Sequence, residues 1–136
     1  MRTKRLFLHL SLIAIAAVTQ GCVAAAVGIG AVGTFAYVQG SLESTEPENV
    51  EKVYNASLKA IDQLGFHLIS NSNDVLNAKI TARNSQDKKI QINMSSTSEL
   101  KTKLSIRVDV FGDEKLELAV YKKIYNNLHP MENSRS

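Results

Sequence analysis

The 136-residue chain contains one cysteine and no tryptophan, and these shortages exclude several classes of protein. A single thiol cannot form a disulfide scaffold, a four-cysteine zinc site or an iron–sulfur cluster. Hydrophobic residues make up 44% of the chain and charged residues 21%. This composition excludes a wholly disordered chain and a polytopic membrane protein, and the length is sufficient for one domain.

Acidic residues are missing from the first part of the chain, where the first one is Glu43. The formal net charge of +3 would favour a nucleic-acid partner, but Arg2, Lys4 and Arg5 supply that excess. Removal of residues 1–21 would leave 13 basic residues to balance 13 acidic ones. No aromatic residues are interleaved with the remaining bases, as single-stranded nucleic acid would require. We therefore expect no nucleic-acid partner.

The first 21 residues have the layout of an export signal. Three basic side chains lie in residues 1–5, and residues 6–18 form an apolar run interrupted only by His9 and Ser11. A basic head, an apolar run of this length and a small residue before the cut are typical of a secretory signal peptide. We predict that residues 1–21 are a signal peptide.

The pair Gly21-Cys22 at the end of this signal resembles the lipobox of bacterial lipoproteins. The resemblance implies that Cys22 receives a diacylglyceryl group on its sulfur, that cleavage falls between Gly21 and Cys22, and that the new amine is acylated with a fatty acid such as palmitate. Lipoproteins of Gram-negative bacteria stay in the inner membrane chiefly when Asp follows the cysteine. Val23 in that position therefore implies an outer-membrane lipoprotein whose domain faces the periplasm.

An uncleaved signal anchor is the alternative, with Cys22 as an incidental small residue. The run over residues 6–18 is shorter than the roughly 17–25 residues that a membrane-spanning helix needs. Continuation through the second apolar stretch, residues 23–38, would make a longer span. Both alternatives stay open at the level of sequence.

The segment after the cysteine contains the pattern G-x-G-x-x-G at Gly28, Gly30 and Gly33. A dinucleotide loop of this pattern requires a strand before it and an amphipathic helix after it. Only five residues separate Cys22 from Gly28, and residues 35–38 look like the start of a strand. We therefore interpret residues 22–34 as the lipidated cysteine with an Ala/Gly-rich tether, and we expect no cofactor.

The remaining sequence predicts one α+β domain over residues 35–129, followed by a polar tail over residues 130–136. Thr45 and Glu48 form a capping box that would start a helix, and Gly65 would end it. Alternating apolar residues then predict four strands, and Asp113 to Pro130 bound a second helix. The expected order is β-α-β-β-β-β-α, an antiparallel sheet of about five strands with both helices on one face and the other face in water.

The chain as a whole resembles a family of small Gram-negative lipoproteins that has no assigned function. The resemblance covers Cys22 and the Ala/Gly-rich stretch, residues 37–40 (Tyr-Val-Gln-Gly) and residues 111–114 (Phe-Gly-Asp-Glu). It implies a location and an architecture but no reaction.

The open sheet face would carry five basic side chains and the acid Asp109, with most other acids on the helices. The five candidates for an anion-binding face are Lys79, Arg83, Lys89, Lys103 and Arg107. Such a face would suit lipopolysaccharide phosphates, peptidoglycan carboxylates or an acidic envelope protein. Exposed lysines that merely keep the sheet soluble are the competing interpretation.

The sequence offers no set of residues for catalysis or for a metal. His67 and His129 are the only histidines beyond the signal. We therefore predict a non-enzymatic domain that binds an envelope partner. The alternative is a carrier that holds a lipid or glycan between helices and sheet, in an apolar cavity beneath four side chains: Val53, Leu58, Val120 and Ile124.

Metabolic labelling with a fatty-acid probe tests the predicted acylation. The wild-type chain should take up label, because the sulfur of Cys22 is the acceptor. The Cys22→Ala variant should take up none and accumulate as a precursor that retains residues 1–21, which intact-mass measurement detects. Label on the Cys22→Ala variant would contradict the assignment.

Overall fold

A computed structural model describes residues 27–30 and 33–130. They form a seven-stranded antiparallel sheet and two helices. The strands in chain order are β1 (Val27–Gly30), β2 (Gly33–Val38), β3 (Ser41–Glu46), β4 (His67–Asn73), β5 (Asn77–Arg83), β6 (Lys89–Ser98) and β7 (Lys101–Val108). The helices are α1 (Val50–Gln63), between β3 and β4, and α2 (Glu114–Leu128), after β7. The order across the sheet is β1-β2-β3-β7-β6-β5-β4.

Both helices cover the same face of the sheet, as the sequence predicted. Helix α1 packs against β4, β5, β6 and β7, while α2 packs against β3 and β7, and the two helices contact each other. The alternating apolar residues of β5, β6 and β7 point into this layer, and Ile80, Ile92 and Ile106 are completely buried. Since successive strand residues point to opposite faces, the intervening polar side chains line the open face.

Two strands exceed the sequence prediction of about five. Strand β1 lies inside the segment predicted as a tether, and β3 lies where the chain was expected to lead into the first helix. Strand β1 is rich in glycine, which strands generally disfavour, so its sequence resembles a linker. Residues 27–30 and 33–34 of the segment predicted as a tether therefore lie in strands, while residues 22–26 and 31–32 are outside the described residues.

Strand β3 lacks the expected apolar alternation because two of its core-facing residues are polar. Leu42, Ser44 and Glu46 are all buried beneath α2. The hydroxyl of Ser44 donates to Glu46 Oε1 over 2.7 Å, and the hydroxyl of Tyr121 in α2 donates to the same oxygen over 3.1 Å. Burial raises the pKa of Tyr121, so the phenol remains a donor. These hydrogen bonds offset the cost of burying polar groups, and they join β3 to α2.

The first helix begins at a different cap from the one predicted. Thr45 lies in β3, and Asn49 is the N-cap, whose side-chain oxygen accepts from the backbone N–H of Lys52 over 2.9 Å. The predicted capping box of Thr45 and Glu48 was therefore wrong, because the chain remains extended through Glu46. The predicted end is confirmed: Gly65 has φ +67°, and Phe66 N–H donates to Ile61 O, which closes the turn.

The predicted start of the second helix is confirmed at Asp113. Its carboxylate accepts from the backbone N–H of Leu116 over 3.1 Å and pairs with Lys88. The ion pair and this hydrogen bond hold the pKa of Asp113 below its usual range. The helix ends at Leu128, two residues before Pro130, as expected for a residue that cannot continue a helix.

A buried carboxylate holds the connection between β7 and α2. The side chain of Glu117 is fully buried, and its Oε1 accepts from the backbone N–H groups of Val108 and Asp113 over 3.0 and 3.2 Å. Oε2 has no partner among the described residues. Burial raises the pKa of this carboxyl group above its ordinary value. Glu117 thus secures both ends of the loop over residues 109–112.

Replacement of Glu117 tests this role. The Glu117→Ala variant leaves the buried N–H group of Val108 and the partly buried N–H group of Asp113 without this acceptor, and it should lose about 2–3 kcal/mol of unfolding free energy. The Glu117→Gln variant retains an acceptor oxygen and should lose less. Urea unfolding measures both changes.

The pH dependence of the unfolding free energy distinguishes the cost of burying the charge of Glu117 from the contribution of its hydrogen bonds. Because burial raises the pKa of Glu117 above 4.5, the native state retains a proton that the unfolded chain releases. Wild-type stability should therefore fall relative to Glu117→Gln as the pH rises from 4.5 through the raised pKa, and the difference should then become constant. A difference that is independent of pH would contradict this assignment.

Candidate binding surface

The structure places all five predicted basic residues on the open face of the sheet. Each of them alternates with buried residues of β5, β6 or β7. Arg83 is paired in register with Lys89 near one end of the sheet, whereas Lys79 and Lys103 lie closer to the other end. The sequence therefore predicted correctly which face carries these bases.

The open face is less basic than the sequence suggested, because acidic residues other than Asp109 pair with two of its bases. Arg83 forms an ion pair with Asp87 over 2.9 Å, and Lys103 pairs with Glu43 over 3.0 Å. Glu43 was missed because it belongs to the unpredicted strand β3. These exposed pairs make a mixed surface rather than a uniformly anion-binding one.

A polar trough lies on this face and has a volume of about 500 Å³. It spans β3 to β4 across β7, β6 and β5, and six of its twelve lining residues carry amide or hydroxyl groups. The lining residues are Glu43, Ser72, Asn73, Asp74, Asn77, Ala78, Lys79, Asn93, Met94, Ser95, Lys103 and Ser105. Lys79 is exposed and has no acidic partner among the described residues.

The centre of the trough is a row of paired residues. Lys79 lies opposite Asn93, Asn93 opposite Ser105, and Ser105 opposite Glu43. This row offers an ammonium group, an amide, a hydroxyl and a carboxylate in sequence across four strands. Such a set can donate to and accept from a polar ligand, and Lys79 adds an available positive charge.

Arg107 has a structural role in addition to its place on the open face. Its Nη2 donates to the backbone carbonyls of Gln39 and Val110, each over 3.0 Å. It therefore joins the β2–β3 turn to the loop after β7. Arg107 also lines a shallow cavity of about 370 Å³ with Lys89, Gln91, Asp109 and Val110.

A second groove lies at the end of the sheet where α1 begins, and it has a volume of about 770 Å³. The β4–β5 turn and the β6–β7 hairpin form its walls, with Asn49 and Glu51 on the helix side. Val75 and Leu76 in that turn are both exposed. The groove combines apolar side chains with Asp74 and Glu99.

The four residues predicted to line a carrier cavity do not line any of four cavities in the described part of the chain. Val53, Val120 and Ile124 are completely buried where that cavity was expected, and Leu58 packs against the same core. The trough was not predicted from the sequence, because its residues come together only when β3 pairs with β7, β7 with β6 and β6 with β5. The sequence does not specify these pairings.

The two histidines of the domain lie apart from the trough. His67 is exposed at the start of β4, and the ring of His129 lies 4.4 Å from that of Tyr125 at the end of α2. Within residues 27–30 and 33–130, no group of three or more His, Cys, Asp or Glu side chains is arranged to hold a metal ion.

The sites of the predicted lipid anchor, Gly21 and Cys22, lie outside the described residues, as do residues 1–21 of the predicted signal. Neither described helix has the length and hydropathy needed to cross a bilayer. Gly28 and Gly30 lie in β1, and Gly33 begins a strand rather than the helix that a dinucleotide loop requires.

Comparison with curated proteins finds no match to the chain. The profile of one protein family, however, matches residues 5–127, which include residues 5–21 of the predicted signal, every described strand and nearly all of α2. The chain therefore belongs to the family described as Protein of unknown function (DUF3568).

Proposed function

We propose that the chain is an outer-membrane lipoprotein, anchored by acylated Cys22, whose non-enzymatic periplasmic domain binds an envelope partner through the polar trough. The basic head, the apolar run and Gly21-Cys22 support the anchor, and Val23 supports the choice of membrane. Two or more acyl chains give stable attachment, because each buried methylene contributes about 0.8 kcal/mol.

The observation that carries the binding proposal is the trough with its unpaired Lys79. Arg83 and Lys103 of the open face form ion pairs with Asp87 and Glu43, whereas Lys79 has no acidic partner among the described residues. Lys79 instead stands beside Asn93 in a concave, hydrogen-bonding surface. This combination fits a partner that presents hydroxyl and carboxylate or phosphate groups.

A binding role also agrees with the hydrogen bonds of the buried ionisable groups, which hold the core together. Glu46 and Tyr121 bond to each other, and Glu117 caps backbone groups of the β7–α2 connection. Burial raises the pKa of both Tyr121 and Glu117, which elsewhere is a sign of a reactive site. Here both are buried side chains of α2, on the opposite side of the sheet from the trough.

The test compares two charge reversals of equal size. The acylated chain, solubilised in detergent, is incubated with three probes: isolated peptidoglycan, lipopolysaccharide and solubilised envelope proteins. The Lys79→Glu variant should weaken binding to the true partner by roughly tenfold, the effect of about 1.4 kcal/mol. The control, Lys59→Glu, changes an exposed residue of α1 and should leave binding within about twofold of wild type.

Retention of the wild-type chain by one probe, with loss only in Lys79→Glu, would support the trough. Equal loss of binding in both variants would mean that only net charge matters, and it would contradict a role for the trough. Failure of all three probes to retain the wild-type chain would contradict the binding function itself.

A further inference from the structure

We propose that the end of the sheet bearing Val38, Val110 and Phe111 lies against the bilayer that holds Cys22. This end is called the apolar tip. The proposal rests on the lipid anchoring proposed above and adds the orientation of the domain, with the lipid surface as the occupant of an exposed apolar patch.

The tip presents large apolar side chains to the surroundings. Phe111 is 93% exposed and Val110 74% exposed, although both are bulky and apolar, and Val38 is 40% exposed. Single exposed apolar residues are ordinary, but contiguous ones mark an interaction site more often. Val110 and Phe111 are consecutive, and backbone contacts bring the end of β2 beside them.

These contacts also hold the tip in a fixed shape. A Cβ atom on Gly112 would lie 2.5 Å from the carbonyl oxygen of Gly40, and both glycines have positive φ. The loop and the β2–β3 turn are therefore in close backbone contact. Arg107 adds hydrogen bonds to Gln39 and Val110. Phe111 is thus presented by a braced loop.

The direction of β1 places the proposed anchor at the same end. Strand β1 is antiparallel to β2, and Val27 lies opposite Ala36. At Val27, the direction towards the N-terminus is therefore the direction in which β2 runs, which leads to Val38 and the tip. Val38 is two residues beyond Ala36, or about 7 Å along the strand.

The five residues from Cys22 to Val27 limit how far the domain can stand from the bilayer. Fully extended, they span at most about 17 Å. Cys22 can therefore lie at most about 10 Å beyond Val38 in the direction of β1. This limit keeps the domain close to the bilayer. Attachment of Cys22 in a bilayer then brings the tip to the lipid surface.

The other end of the sheet provides a matched comparison. Leu100, in the β6–β7 hairpin, is 67% exposed and apolar, like the residues of the tip. It follows the end of β6 and precedes β7, whereas Phe111 follows the end of β7. The two residues therefore lie at opposite ends of the same strand, and only one of them can face the membrane.

Tryptophan fluorescence tests the orientation, because the chain has no tryptophan of its own. The Phe111→Trp and Leu100→Trp variants are expressed as full acylated chains and reconstituted into vesicles of phosphatidylethanolamine and phosphatidylglycerol. The acyl mass on Cys22 is confirmed for each preparation. Emission is then compared between vesicles with and without bromine on the acyl chains.

The indole of Phe111→Trp should shift to the blue and lose roughly half its emission to brominated lipid, as a side chain at the boundary of headgroups and acyl chains does. The indole of Leu100→Trp should keep its emission. Equal quenching, or none in Phe111→Trp, would overturn the orientation while acylated Cys22 left the anchor intact. Absence of the acyl mass on Cys22 would overturn both proposals.

Discussion

Within residues 27–30 and 33–130, two helices cover a sheet of seven strands, and the rest of the described structure follows from this limit. Both helices lie on one face, where they bury the apolar residues of β5, β6 and β7. Neither described helix lies on the opposite face, which carries the polar side chains of the strands. The trough around Lys79 and Asn93 is on this face, outside the packed core.

The buried layer contains carboxylates, and these determine where the second helix sits. Glu46 accepts from Ser44 and Tyr121, and Glu117 accepts from the backbone on both sides of the β7–α2 connection. A buried carboxylate is costly unless hydrogen bonds compensate it. Each of these side chains is useful only in one arrangement of β3, β7 and α2, so they favour that arrangement over other ways of packing an apolar helix.

The regular part of the domain was predictable from sequence because its pattern is local. The apolar stripes of the helices and the alternation around Ile80, Ile92 and Ile106 follow from a period that short stretches display. Gly65 and Asp113 mark helix boundaries through chemistry that involves only neighbouring residues.

Strand β3 and the trough were not predictable because they depend on distant partners. Ser44 and Glu46 occupy core positions only because Tyr121 approaches from the far end of the chain. Once β3 was missed, its Thr45 was assigned to a helix cap, and its Glu43 was absent from the expected surface. Glu43, one of the two acidic residues that line the trough, is therefore placed there only by the pairing of β3 with β7.

Strand β4 forms one margin of the sheet, and all seven of its residues are exposed. It has no lysine or proline, which commonly protect such margins from joining another chain. Its pairing with β5 shifts register between Leu68 and Ser70. That irregularity shortens the stretch on which a neighbouring molecule can build a continuous ladder.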